Sequence, residues 1–224
     1  MPAKKDGYHQ LFVARTHHRP IAVDQGDRAT GSRLGGRPPL PLAKKPPRCP
    51  ICKGALQYVL TLAADTLGAA IAGERALSLL TCRDFGCRQG SHELAYPSPT
   101  LLVAHPDEAR AETASELDPD CEGRALSMGE LTIDPLQNGE VYTDASKLGG
   151  GPGYIQGWGD QEAQKARARG AEFLFQWSEN SLAAAHVEID EAPFANGVVY
   201  VFARIDANSG RPTLEDLAAF WQSS

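Results

Sequence analysis

Nothing in the sequence reads as a membrane span or a secretion leader. The first residues, Met1 to Phe12, hold no apolar run of signal-peptide type. The longest weakly polar stretch, Ala55 to Gly73, is interrupted by Gln57, Asp65 and Gly68 and is no transmembrane helix. Soluble and cytoplasmic is the expectation. Aromatic residues are few, at 7%. Cysteines number five, too few in 224 residues for a disulfide mini-protein. The composition also excludes collagen and coiled coil.

Motifs of catalysis are lacking as well. None of His9, His17, His18, His92, His105 and His186 stands in an H-E-x-x-H or similar spacing, and no G-x-S-x-G occurs. There is no G-K-[ST], hence no P-loop. Gly151 and Gly153 lack the third glycine of a dinucleotide fingerprint. Cys121 lies among Asp118, Asp120 and Glu122, whose charges disfavour a nucleophilic thiolate. The expectation is a protein that is not an enzyme.

What is present is glycine and proline, 22 and 16 residues. They indicate many turns and short elements, and argue against a helical bundle. Strand-like runs cover Gln10 to Ala14, Pro20 to Val23, Ala55 to Ala64, Ala76 to Cys82, Pro99 to Ala104, Phe173 to Trp177 and Val198 to Ile205. Pro106 to Leu117 has a proline first and acids in its first turn, a helix signature. Pro212 to Trp221 places Leu214, Leu217, Ala218 and Trp221 on one helical face. Six prolines between Pro38 and Pro50 imply an extended connector. The fold class expected is α+β, strand-dominated, with short antiparallel strands.

Internal repetition is the strongest organising signal. Residues 32–38 read SRLGGRP and residues 146–152 read SKLGGGP, with five of seven positions identical. The strand runs that follow repeat in order: LQYVLTLA matches FLFQWSEN, and ERALSLLTC matches NGVVYVFARI. Two pseudo-symmetric halves packed as one unit are expected, because a single repeat cannot bury its own apolar face. The division is a basic arm at 1–31, a first half at 32–125 and a second half at 126–224. Gly35, Gly36 and Pro38, with Gly149, Gly150 and Pro152, are read as structural turns, paired glycines permitting positive φ.

Four cysteines form two pairs, Cys49-Pro-Ile-Cys52 and Cys82-x4-Cys87, separated by 29 residues. Two thiolates spaced by two residues can share one tetrahedral ion, and Gly54 lets the turn close around sulfur. A structural zinc on Cys49, Cys52, Cys82 and Cys87 is the reading favoured, with His92 as a substitute ligand. Reduced thiols and disulfides are the alternatives.

Charge is unevenly spread. Residues 1–48 hold ten Lys/Arg and three Asp/Glu, whereas residues 49–224 hold twelve and 25. An acidic body repels phosphate and a nucleic-acid partner is not expected, nor is a membrane. It suits a basic protein partner. Asp107 to Glu122 carries seven acids in sixteen residues. Asp107, Glu108, Glu112, Glu116 and Asp118 are its candidate contacts.

These motifs resemble two families. The second half is similar to the bacterial YwqG-like family through Gly149 to Gln156 (GGGPGYIQ), Phe173 to Gln176 (FLFQ), Asn196 to Phe202 (NGVVYVF) and Leu214 to Ser223 (LEDLAAFWQS). Where that family carries an acidic run after its Gln, this chain has Trp177 to Asn180. The first half resembles the N-terminal domain of the programmed cell death protein 2 family. The matches there are Leu34 to Pro38 (LGGRP), Cys49 to Cys52 with Leu56 to Leu62, and Arg75 to Cys82 with Cys87. The MYND zinc finger of that family has no counterpart here. The first resemblance implies an immunity-type protein that binds a toxin. The second implies a chaperone or adaptor for a basic client such as a ribosomal protein.

Overall fold

The computed structural model describes residues 8–13, 31–67, 75–89, 98–106, 124–132, 136–137, 140–141, 146–157, 159–179, 193–194, 197–205 and 212–223. The chain runs β1 (Tyr8–Val13), β2 (Arg33–Leu34), α1 (Leu40–Lys44), β3 (Leu56–Leu62), α2 (Ala64–Leu67), β4 (Arg75–Cys82), α3 (Phe85–Gln89) and β5 (Thr100–Pro106). It continues with β6 (Arg124–Thr132), β7 (Leu136–Gln137), β8 (Glu140–Val141), β9 (Lys147–Gly149), α4 (Gly159–Ala168), β10 (Ala171–Ser178), β11 (Val198–Ile205) and β12 (Pro212–Gln222). Strands dominate, and every pairing between them is antiparallel.

Ten strands form one sheet in the order β12-β11-β10-β9-β1-β6-β2-β3-β4-β5; β7 and β8 pair separately. The order is palindromic. Each half supplies a four-strand antiparallel unit, β2 to β5 and β9 to β12. The two units meet through β1 and β6, which pair with each other. Those two central strands are exchanged: β1 lies against β9 of the second half, and β6 against β2 of the first. Tyr8–Val13, within the segment read as an arm, is therefore a strand of the sheet.

Registers make the two halves equivalent residue by residue. Leu34 lies opposite Leu60, and Leu148 opposite Phe175. The β3–β4 ladder shifts between Tyr58 and Leu60, and the β10–β11 ladder between Phe173 and Phe175. Thr61 opposite Ser78 thus matches Gln176 opposite Tyr200. The turns match too: Gly35 and Gly36 have φ of 59° and 69°, and Gly149 and Gly150 have 80° and 72°. Those angles lie in the left-handed region open to glycine.

The inner faces of the two units share one core. Leu62, Leu77 and Leu79 from one half pack with Trp177, Val199, Val201 and Trp221 from the other. The terminal strands β5 and β12 also touch, so the sheet curls around this core. One cost is visible, since the Trp177 Nε1 is buried without a partner. Each outer face is then covered differently. In the second half α4 brings Ala163 and Ala166 onto Val198, Tyr200, Phe202 and Phe220. In the first half α1 brings Leu42 onto Leu56, Tyr58 and Leu80, beside Cys49 and Cys82.

Two expectations are corrected. Pro212–Gln222 is strand β12, not a helix. Its later residues alternate, Ala219 and Trp221 facing the shared core and Ala218 and Phe220 the outer cluster. Pairing with β11 supplies the strand with partners that a lone amphipathic helix would lack. The proline-rich connector Pro38 to Pro50 is not extended throughout, because α1 forms within it. Pro41 sits in the first turn, where a missing N–H costs nothing. The segments Pro20 to Val23 and residues 107–117 lie outside the described residues.

Candidate metal centre

The first cysteine pair precedes β3, and the second begins at Cys82, the last residue of β4, and ends in α3 at Cys87. Antiparallel pairing sets Leu56 opposite Cys82 and so brings both pairs to one end of the hairpin. This explains the 29-residue spacing, most of which is the hairpin itself. Arg83 N–H donates to the Ala55 carbonyl at 3.2 Å, tying the second loop to the root of the first.

The first loop closes locally. Lys53 N–H donates to the Cys49 carbonyl at 3.0 Å, and Cys49 N–H to the Gly54 carbonyl at 3.1 Å. Gly54 N–H points at the Cys52 Sγ, 3.4 Å away. The left-handed position falls on Lys53, with φ of 62°. At Gly54 the pressure is steric: a Cβ there would lie 3.2 Å from the Cys52 Sγ and press the sulfur away by a few tenths of an ångström. In the second loop the Asp84 carboxylate accepts the Cys87 N–H at 2.9 Å and starts α3.

The four sulfurs converge. Cys49 and Cys87 Sγ are 3.7 Å apart, Cys52 and Cys82 Sγ are 3.4 Å apart, and all four lie within 4.8 Å of one another. A tetrahedral ion with metal–sulfur bonds of about 2.3 Å separates its sulfurs by about 3.8 Å. The four thiols therefore form a cluster compatible with a metal. They are free cysteines, unbridged by disulfides. Cys49 and Cys82 are buried, Cys87 is partly buried and Cys52 is exposed.

Without a cation these thiols differ in acidity. The Gly54 N–H, and then Cys82, hold the Cys52 thiol below its ordinary value. Burial pushes Cys82 far up and Cys87 up to about 11. Binding a divalent cation must therefore displace protons.

The glycine turns have a second role in the second half. Gly153 N–H donates to the Gln176 Oε1 at 2.9 Å, and the Tyr200 hydroxyl donates to the Gly153 carbonyl at 2.9 Å. Gln222 accepts from the Ile155 and Gln156 N–H groups and donates back to the Gln156 carbonyl. The resemblance had marked Gln176 and this loop; here they hold each other. The equivalent first-half positions are Thr61, Ser78 and His105, and they form a chain. His105 Nδ1 donates to the Pro106 carbonyl at 2.7 Å, so in the neutral ring Nε2 accepts from Ser78 at 2.8 Å. Ser78 and Thr61 lie 2.7 Å apart, and Thr61 and Tyr58 2.8 Å. The Ser78–His105 contact has the form of a nucleophile and its base. Ser78 is fully buried and His105 is 4% exposed, and their counterparts Tyr200 and Gln222 serve to pin a loop.

Cys121, His92, Asp107, Glu108, Glu112, Glu116 and Asp118 lie outside the described residues. Pro38 is buried behind the first turn, and Pro152 is partly buried behind the second. Sequence reasoning did not single out Lys53, Phe85 or Arg88, all of which shape the cysteine loops. Their only signal was position beside a cysteine. No helix among the described residues is long and apolar enough to cross a membrane. No family model matches the chain, and no curated protein matches it.

Proposed function

We propose that the chain is a non-enzymatic protein-binding module whose first half is held together by a structural zinc ion. The convergence of four thiols within 4.8 Å supports this. Four protein sulfurs complete a tetrahedral shell and leave no open position for substrate or water, so such an ion stabilises and does not catalyse. Zinc is favoured because an all-sulfur tetrahedral set suits that ion. The acid excess beyond residue 48 supports a basic protein as partner. An immunity-type role, masking a toxin, follows from the resemblance of the second half. A chaperone role for a basic client follows from that of the first.

Elemental analysis of purified protein tests the metal: about one zinc per chain is expected for one tetrahedral site. Pull-down from the native cell tests the partner. One tight basic partner from whose toxicity the chain protects supports the immunity role, and a basic partner without toxicity supports the chaperone role. Turnover of a small substrate sinks both.

A further inference from the structure

We propose that the four-thiol centre is also a reversible modification site for hydroperoxides: Cys52 is oxidised, and Cys82 joins it in a disulfide that takes over the cross-link from the ion. The ion is the zinc of the proposed function, and the proposal rests on that reading.

The four sulfurs are unequally open to solvent. Cys49 and Cys82 are 0% exposed, Cys87 is partly buried and Cys52 is exposed. A solute that meets this centre from water meets Cys52 first. Glycine at position 54 keeps a flank of that sulfur clear, since a Cβ there would lie 3.2 Å from it. A zinc-bound cysteine is a thiolate. The thiolate is the form that attacks a peroxide, and a hydroperoxide is small enough to reach one exposed sulfur.

Cys82 stands where a resolving thiol must. Its Sγ lies 3.4 Å from the Cys52 Sγ and is buried, so it sits on the inner side of the exposed sulfur. An oxygen added to Cys52 from solvent then leaves outward as Cys82 attacks from within. A disulfide bond is about 2.0 Å long, so the two sulfurs need to close by about 1.4 Å. The bond ties the first cysteine loop to the end of β4. Cys49 and Cys87, 3.7 Å apart, are placed to form a second link of the same kind.

The chemistry balances with one peroxide. The Cys52 sulfur gives an electron pair to one peroxide oxygen, the O–O bond breaks, and the other oxygen leaves as hydroxide. The Cys82 thiolate then attacks the sulfenic sulfur, forming S–S and breaking S–O, and a second hydroxide leaves. Two thiolates, one hydroperoxide and two protons thus give a disulfide, water and the alcohol of the peroxide, or two waters from hydrogen peroxide.

Two of the four metal ligands are consumed, so the site lets the ion go. The loops nevertheless stay joined over Leu42, Leu56, Tyr58 and Leu80. Chelation of the reduced protein leaves no such link. Oxidation and chelation should therefore both remove zinc, and only chelation should unfold the first half.

The test uses full-length protein with Cys121→Ser, which removes the fifth thiol, and begins by measuring its zinc content. Hydrogen peroxide is added, zinc release is followed with a chromogenic chelator, and remaining thiols are alkylated. Trypsin then yields residues 49–53 (CPICK), 76–83 (ALSLLTCR) and 84–88 (DFGCR), which separate the possible pairings. Zinc release is expected together with CPICK joined to ALSLLTCR, fragmentation placing the link on Cys52. Circular dichroism should be retained, and dithiothreitol with zinc should restore the starting state. Cys52→His keeps a fourth ligand without an exposed thiol, and its zinc release should be about tenfold slower or more. If that variant does not load zinc, the mapping on its parent decides. Zinc present but no linked peptide, CPICK closed on itself, loss of circular dichroism on oxidation, or parental release from zinc-loaded Cys52→His overturns the proposal and leaves the zinc reading standing. Absence of zinc at the start overturns both.

Discussion

The two halves share a ladder register, a bulge and a glycine turn, yet they finish their outer faces by different means. The second half uses aromatic packing: Tyr200, Phe202 and Phe220 stack within 5.0–5.8 Å, centroid to centroid, beneath α4. The first half has Leu42, Leu56, Tyr58 and Leu80 there, beneath a five-residue helix and two cysteine loops. Tyr200 and Phe220 on one side correspond to Ser78 and Val103 on the other. The half with less apolar volume carries the metal-compatible cluster. The comparison teaches that one repeated plan accommodates two finishes, packed rings beneath a helix in one half and converging thiols in the other.

The largest effect should come from breaking the cross-link. If zinc holds the loops, chelation should unfold the first half, because structural zinc contributes about 10–16 kcal/mol at neutral pH. The shared core should make the loss cooperative, so that circular dichroism and the fluorescence of Trp158, Trp177 and Trp221 fall together. Separate transitions would show the halves to be independent. The pH dependence has a definite sign. Cys82 and Cys87 are raised by burial and are protonated in the metal-free protein at neutral pH. Lowering pH therefore favours the metal-free form, and zinc affinity measured by competition with a chelator should rise as pH rises.

Phe220→Ala asks whether rings do for the second half what an ion on the four thiols would do for the first. Truncating this fully buried ring should cost about 3–5 kcal/mol in urea denaturation, while zinc content stays unchanged. A loss below 1 kcal/mol would mean that α4 and not the aromatic stack closes that face.

A smaller effect compares the polar pins. Gln222→Leu takes the side-chain acceptor from the Gln156 N–H, leaves the Ile155 N–H only the Tyr200 hydroxyl, and should cost about 1–3 kcal/mol. His105→Leu, at the equivalent position, removes one partner of the Ser78 hydroxyl, which keeps Thr61 at 2.7 Å, and should cost less. Equal costs would argue that the first-half chain pins a loop as well.

The smallest effect is at the first cysteine loop. Lys53 occupies the left-handed region at φ 62°, which disfavours a side chain by about 1 kcal/mol. Lys53→Gly should relieve this, minus the Nζ donation to the Pro50 carbonyl at 2.8 Å. A gain of up to about 1 kcal/mol in thermal or chemical denaturation is expected. Destabilisation would mean that the Lys53–Pro50 contact governs the turn.

Much of this architecture was legible along the chain because it is local. Continuous apolar runs marked β3, β4 and β11, since strands buried on both faces need them. The SRLGGRP and SKLGGGP repeats marked the equivalent turns, since few residues other than glycine tolerate consecutive left-handed positions. The four cysteines were legible as one metal-compatible group from spacing and neighbouring glycines. Tertiary structure alone decided the rest. Whether Pro212–Gln222 became helix or strand depended on the free edge of β11, which no local pattern reveals. The exchange of β1 and β6 between the halves required β1 to find β9, 137–141 residues away, and β6 to find β2, 90–92 residues away. The convergence of the two cysteine pairs depended on the β3–β4 register, because a slip of one residue would have sent one pair to the opposite face.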